Sequence, residues 1–267
     1  MKQFLLTKEP DDNIVRLDGD DYRYLVRVRR LATGEFFPAL LPNGEETLIQ
    51  VLSVDKGLLT GKCVSAENNP DSPSPSIPAI ILFQALPKGE KMDLIVRQAA
   101  EGGITEIVPF ISEFSVAKAS AGEQKFSRWQ RIIREARQQS GSKIATTIRR
   151  PLTKEGLFNY WKELQVSCAH AAQAALGLLF HHQGLEQKPL HSYLNSSYLD
   201  SVPKVIALAI GPEGGFSDTE VSLFLENGFN PITIGDTILR TETAALYCAA
   251  AVRILLLERD SWQLKQK

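Results

Sequence analysis

Two segments near the C-terminus carry residue types and spacings that could do chemistry. In VIALAIGPEGGFSDTEV (205–221) an apolar run leads into Gly211-Pro212-Glu213-Gly214-Gly215. Glycines at the carboxyl end of a strand let backbone approach a ligand closely, and open α/β sheets bind ligands beyond such strand ends. Ser217 followed by Glu220 forms a capping box, so a helix is predicted to begin at 218. A tight turn with no ligand uses the same residues, and that alternative stays open here. The spacing does exclude familiar nucleotide loops. A dinucleotide fingerprint needs G-x-G-x-x-G, and a P-loop needs Gly-Lys-Ser/Thr, whereas Gly61-Lys62 continues to Cys63.

The second segment is PITIGDTILRTETAALYCAAAVRILLLER (231–259). A strand is predicted to end at Gly235, a short loop to present Leu239, Arg240 and Thr241, and a helix to begin near Glu242. A helix N-terminus already carries positive charge, so a cation placed beside it favours an anionic or electron-rich partner. Arg240 is therefore a candidate ligand-facing residue. A plain ion pair with Glu242 is the alternative.

Positive charge is also concentrated locally. Residues 118–154 hold ten Lys/Arg against Glu123 and Glu135, in a chain whose formal net charge is −1. A helix predicted at about 124–140 places Trp129, Ile132, Ile133 and Ala136 on one apolar stripe. Arg131 and Arg134 fall opposite that stripe, with Arg128 and Arg137 at its flanks. Such a row suits a polyanion track, and equally a solvated face. His181-His182 end an apolar run, but no carboxylate or cysteine stands at ligand spacing from them, so no metal site is expected.

The elements that must position these residues follow from pattern. NNPDSPSPSIP (68–78) cannot hold a helix or a central strand, so the chain is divided into residues 1–70, a linker at 71–78 and residues 79–267. Before the linker, short strand-like runs flank Asn43-Gly44 and Asp55-Lys56-Gly57, and they suggest a small β-barrel with one helical piece at 20–30. After it, strands at 79–87, 104–110, 176–182, 205–210 and 231–235 alternate with helices at 90–101, 124–140, 218–227 and 242–259. That alternation predicts an α/β domain with a mostly parallel sheet. Met92, Ile95, Val96, Ala99 and Ala100 are the predicted inner face of the first of those helices. Residues 151–175 match neither period.

A hydrophobic share of 43% and a charged share of 23% are ordinary for a globular chain. Three scattered cysteines read as reduced thiols. With no secretory leader and no apolar run long enough to span a bilayer, the expectation is a cytoplasmic protein with no membrane partner. The last helix is apolar on every face from Ala244 to Val252 and again from Ile254 to Leu257. A helix of that kind needs cover on several sides, and small residues such as Ala244, Ala245, Ala249 and Ala250 would admit a partner helix; a homodimer is expected.

IGPEGGFSDTEV (210–221) followed by GDTILRTETAAL (235–246) resembles the paired C-terminal motifs of the 16S rRNA uridine-N3 methyltransferases, members of the knotted SPOUT superfamily. RVRRLATGE (27–35), KGEKMDLIVRQAAEGGITEIVPFISEFSV (88–116) and WQRIIREARQQSG (129–141) resemble further motifs of that family, in order along the chain. The resemblance implies a PUA-like RNA-binding barrel, then an α/β domain with a deep trefoil knot. It also implies a homodimer and S-adenosylmethionine as cofactor, with no metal. By match, the cofactor loops bring Leu179, Phe180, Ile210, Gly211, Glu213, Gly214 and Gly215 together with Ile234, Gly235, Ile238, Leu239, Thr241, Glu242, Thr243 and Ala244. RNA contacts are expected from Arg27, Arg30 and Lys91 as well as Arg131 and Arg134, with 16S rRNA, within the 30S subunit, as the partner.

N3 of uridine must be free of pairing to be methylated, and its proton must leave. Catalysis then rests on positioning and on stabilising charge at the uracil oxygens, the role expected of Arg240. Sequence identifies no general base. A related enzyme acting on a ribose 2′-hydroxyl or a tRNA base, and an RNA-binding assembly factor without turnover, remain the alternatives at this point.

Overall fold

A computed structural model describes residues 3–64, 77–115, 122–170, 174–182, 185–194 and 203–263. Its contacts divide the chain into two units, residues 1–73 with 134–145 and residues 74–133 with 146–267. The expected linker falls largely outside the described residues. The grouping of 134–145 with the N-terminal residues is invisible to a division made along the sequence.

The first unit is built on β1 (Phe4–Leu5), β2 (Ile14–Asp18), β3 (Phe36–Leu40), β4 (Glu46–Asp55) and β5 (Leu58–Val64), in the order β1-β3-β4-β5-β2. The β3–β4 and β4–β5 hairpins turn at the two predicted loops, and only β1 and β3 are parallel. A register shift between Val51 and Ser53 bends β4, as a bulge does. No pairing joins β1 to β2 among the described residues, so the expected barrel is a half-barrel. Phe4, Val15, Leu25, Phe37, Ile49 and Leu59 fill its core. The helical piece is short: α1 (Gly19–Tyr22) runs into a π-helical stretch, Arg23–Val28, in which the Arg29 amide donates to the Tyr24 carbonyl at 2.9 Å. Leu25 points into the core and Arg27 is exposed.

The second unit holds β6 (Ala79–Ala85), β7 (Glu106–Phe110), β8 (Thr147–Ile148), β9 (Ala175–Phe180), β10 (Val205–Ile210) and β11 (Phe229–Ile232), all parallel in the order β11-β9-β10-β6-β7-β8. Its helices are α2 (Lys91–Glu101), α3 (Glu123–Ser140), whose residues from 134 onward group with the first unit, α4 (Lys154–His170), α5 (Leu190–Leu194), α6 (Asp218–Glu226) and α7 (Thr241–Gln263). Strand β10 is buried along its whole length, which is why VIALAI reads as a continuous apolar run rather than an alternating one. One face of the sheet packs Phe83, Val108 and Ala207 against Phe158 and Trp161 of α4 and Phe224 of α6. Trp161 satisfies its indole N–H by donating to the Asn227 carbonyl at 2.9 Å. The inner face of α2 is buried at the five predicted positions, Met92, Ile95, Val96, Ala99 and Ala100.

Three expectations need adjusting. Residues 154–170, unassigned by pattern, form α4. Strand β11 stops at Ile232 instead of Gly235, because its only partner, β9, ends opposite it at Phe180; Ile234 and Gly235 lie in the loop beyond. Helix α7 begins at Thr241. Among the described residues no helix is long and apolar enough to cross a membrane.

Candidate cofactor pocket

The chain lays down β6, β7 and β8 in one direction and β9, β10 and β11 on the other side of β6, so the strand order reverses between β6 and β10. Crevices open beyond the carboxyl ends of strands at such a reversal. Here Phe180, Ile210 and Ile232 end their strands at the edge of a cavity of about 560 Å³, within the range of small-molecule sites. Its walls are the Gly211–Phe216 loop, the Thr233–Arg240 loop, His181 and His182, and the first turns of α7.

Glycine is required in the first of these loops. A Cβ on Gly211 would lie 3.1 Å from the Gly215 carbonyl carbon, and Gly215 itself has φ +69°. The backbone folds back on itself, so a side chain at Gly211 would press on the loop's own backbone and one at Gly215 would strain it. The loop is anchored by the predicted capping box: the Glu220 amide donates to Ser217 Oγ at 3.2 Å, and the Ser217 amide donates to the Glu220 carboxylate at 3.1 Å. Buried Glu220 does more than cap, since it also accepts from Ser112 Oγ at 3.0 Å and the Glu113 amide at 2.8 Å. The start of α6 is thereby fixed to the loop after β7.

At the rim, Glu213 accepts from the Lys88 amide at 3.1 and 3.2 Å and lies 2.8 Å from Lys91 Nζ, which also stands 3.4 Å from Glu242. Burial pushes the Glu213 carboxyl up, but Lys91 and the backbone amides outweigh it and hold the group below its ordinary value. The hydrogen bond to Glu213, backed by Glu242, raises Lys91 above its own. Beneath the rim, Thr241 Oγ1 donates to the Gly211 carbonyl at 2.7 Å and accepts from Gln84 Nε2 at 3.0 Å.

Of the residues expected at the cofactor, Phe180, Ile210, Gly211, Glu213, Gly214, Gly215, Ile234, Gly235, Ile238, Leu239, Thr241 and Ala244 all line this cavity, as does Arg240. Leu179 does not: it lies in the core beneath the sheet. Glu242 and Thr243 stand outside the wall, Glu242 turned to Lys91 and not to Arg240. Arg240 is exposed, and its side chain makes no ion pair or hydrogen bond among the described residues. Its carbonyl accepts the first α-helical hydrogen bond, from the Ala244 amide at 2.7 Å.

Sequence reasoning missed His181, His182 and Cys248 as wall residues. Helical spacing from Thr241 and Ala244 would have found Cys248; its thiol is pushed up to about 12 by burial. Among the described residues no group of three or more His, Cys, Asp or Glu could hold a metal ion.

The expected RNA-contacting residues are distributed differently. Arg27 and Arg30 are exposed in the first unit, Arg30 with a left-handed backbone (φ 58°). Lys91 sits on the cavity wall. Arg131 is exposed on α3, while Arg134 pairs with Asp21. Arg137, expected at the flank of the basic row, is buried, and burial lowers its pKa.

A parallel sheet with a glycine-walled cavity at its strand-order reversal defines an α/β ligand-binding domain. A family profile described as an RNA methyltransferase domain matches residues 73–253. The ribosomal RNA small subunit methyltransferase E of Synechocystis is 35% identical over 91% of this chain and 73% of its own length. The ribosomal RNA small subunit methyltransferase E 2 of Borreliella burgdorferi is 31% identical over 96% of this chain and 98% of its own. The crystal structure of a ribosomal RNA small subunit methyltransferase E from Neisseria gonorrhoeae, bound to S-adenosyl methionine, superposes with a TM-score of 0.72 at 25% identity, over 96% of this chain and 98% of that one. The chain belongs to the ribosomal RNA small subunit methyltransferase E family.

Proposed function

We propose that this protein methylates N3 of a uridine in 16S rRNA with S-adenosylmethionine, in the cytoplasm, acting on the 30S subunit as a homodimer. The observation that carries the chemistry is Arg240, an exposed cation on the wall of the glycine-cradled cavity at the N-terminus of α7. The cavity suits the cofactor in size, and the backbone at Gly211, Gly214 and Gly215 carries no side chain between it and the cavity. When bound, the cofactor supplies a methyl group on a sulfonium, whose departure needs no acid. The protein must then hold the uracil with N3 unpaired and stabilise the charge left on O2 or O4 as the N3 proton passes to water, the methyl group takes its place and the sulfonium becomes a neutral thioether. Arg240 and the adjoining helix N-terminus supply positive charge for that purpose.

In this reading the half-barrel is the PUA-like RNA-binding domain and the C-terminal segment carries the family's knot. The dimer rests on α7: Tyr247, Ile254 and Leu257 are about half exposed in the single chain, with Leu246 beside them. Apolar side chains left uncovered along one helix fit a partner surface. The test is incubation of the protein with 30S subunits or free 16S rRNA and methyl-labelled S-adenosylmethionine, then digestion to nucleosides. Label in 3-methyluridine supports the proposal, and label in a 2′-O-methylated nucleoside, or none, refutes it.

A further inference from the structure

Gln84 is a fully buried amide in the middle of the parallel sheet, on the strand next to the order reversal. Its Nε2 donates to the Ala85 carbonyl at 2.9 Å and to Thr241 Oγ1 at 3.0 Å. Its Oε1 is buried with no hydrogen-bond partner among the described residues. Burying an amide with half its capacity unmet costs stability, and an apolar side chain of the same shape would avoid that cost. Packing alone therefore gives no reason for glutamine here.

The bond to Thr241 does. Thr241 has one hydroxyl proton and gives it to the Gly211 carbonyl at 2.7 Å, so its remaining capacity toward Gln84 is as an acceptor. The amide cannot be turned over, because Nε2 faces two acceptors, the Ala85 carbonyl and Thr241 Oγ1. The order of donors is fixed from Gln84 through Thr241 to Gly211. It links the end of β6, the first residue of α7 and the first residue of the glycine loop. Arg240 is the residue immediately before Thr241.

We propose that Gln84 is a positioning residue for methyl transfer: by orienting Thr241, it sets Arg240 against the glycine loop. The inference rests on the function proposed above. It requires that Gln84→Met, which keeps the shape and removes the donor, lowers catalysis without lowering stability. Gln84→Glu places a carboxylate beside two oxygens and reverses the hydroxyl of Thr241. A buried carboxyl titrates several units above its ordinary value, so lowering the pH from about 8 to about 6 should protonate it and restore a donor to Thr241. Arg240, Lys91, Glu213 and Glu242, the charged groups nearest Thr241 in the chain and at the rim, are common to variant and wild type. The ratio of their rates therefore isolates the introduced carboxyl.

The experiment measures single-turnover transfer to 16S rRNA at saturating S-adenosylmethionine, affinity for S-adenosylhomocysteine by calorimetry, and Tm, for the wild type and both variants. Gln84→Met should be slower by about 10-fold, the scale of one hydrogen bond felt only in the transition state, with Tm unchanged or higher and product affinity within about 3-fold. The Gln84→Glu rate should approach that of the wild type as the pH falls. A Gln84→Met rate equal to wild type overturns the inference. So does a loss of rate that merely follows losses of Tm and affinity, or a Gln84→Glu ratio that does not change with pH. Absence of transfer by the wild type overturns the proposed function itself, and this inference with it.

Discussion

The Nζ of Lys91 lies 2.8 Å from Oε1 of Glu213, fastening the first residue of α2 to the glycine loop beyond β10. The resemblance had placed Lys91 with RNA and Glu213 with the cofactor; in the structure they form one contact at the cavity rim. Glu213, with its pKa lowered, contributes stability above its ordinary value of 4.5 and loses it as the pH falls through the lowered value. Lys91, raised above 10.5, contributes below that value and loses its share as the pH rises through the raised one. Cofactor affinity measured by calorimetry should therefore be flat across the neutral range and fall on the acid side. Glu213→Gln should weaken affinity at neutral pH and remove that acid limb, and an unchanged acid limb would show the contact to be irrelevant to the cavity.

Arg240 is expected to act on the chemical step more than on binding. Arg240→Ala should lower the single-turnover rate by about 100-fold or more, the usual scale for losing a donor aimed at developing charge. Affinity for S-adenosylhomocysteine should change far less. The opposite pattern, normal transfer with lost affinity, would make Arg240 a cofactor ligand.

Tyr160 provides a check on the second unit away from the cavity. Its hydroxyl donates to Glu106, which also accepts from Arg149 Nε at 2.6 Å, and the Arg149 guanidinium lies 4.0 Å over the Tyr160 ring. Burial, aided by Glu106, pushes the phenol up to about 12. The neutral phenol's contribution is thus complete below its ordinary value of 10.0 and lost as the pH rises through about 12. Ultraviolet titration should show a late phenol that Tyr160→Phe removes, at a cost of about 1 kcal/mol in stability. Absence of a late phenol that depends on Tyr160 would contradict the arrangement.

The basic row on α3 divides into residues with different duties. Replacing Arg131 and Arg134 by Ala should weaken rRNA binding and reduce its salt slope by about 1 to 2, leaving cofactor affinity alone. Arg134 also holds Asp21, so Arg134→Ala should lower Tm as well. An unaltered salt slope in the double variant would return both residues to a solvated face.

Most of the second unit was legible in the sequence because its strands and helices differ in period. The five buried positions of α2 and the Ser217–Glu220 capping box follow from spacing alone. What was not legible depends on which distant residues meet. Glu242 stood beside Arg240 in sequence, yet it turns to Lys91. Gln84 lies unremarked within the strand predicted at 79–87, and its purpose appears only with Thr241 beside it. Arg137 fell at the edge of the polar face of α3 by helical geometry, and nothing local indicated that it would be buried. Helix α7 shows the same limit. Its wholly apolar stretch implied several buried sides, but Ala249 is buried within the chain and Ile254 is half exposed. The outward stripe, and not Ala249, is the place to test association: Ile254→Arg should turn a sedimenting dimer into monomer, and an unchanged dimer would place the interface elsewhere.

The central claim is the identity of the methylated atom. Mass mapping of 16S rRNA from a strain lacking this gene, and from the same strain carrying the wild-type gene or its Arg240→Ala variant, tests it most directly. One uridine should lose its N3-methyl group in the deletion strain, regain it with the wild-type gene and stay unmodified with the variant. Full N3-methylation in the deletion strain, or loss of a methyl group from a ribose or from tRNA instead, would contradict it.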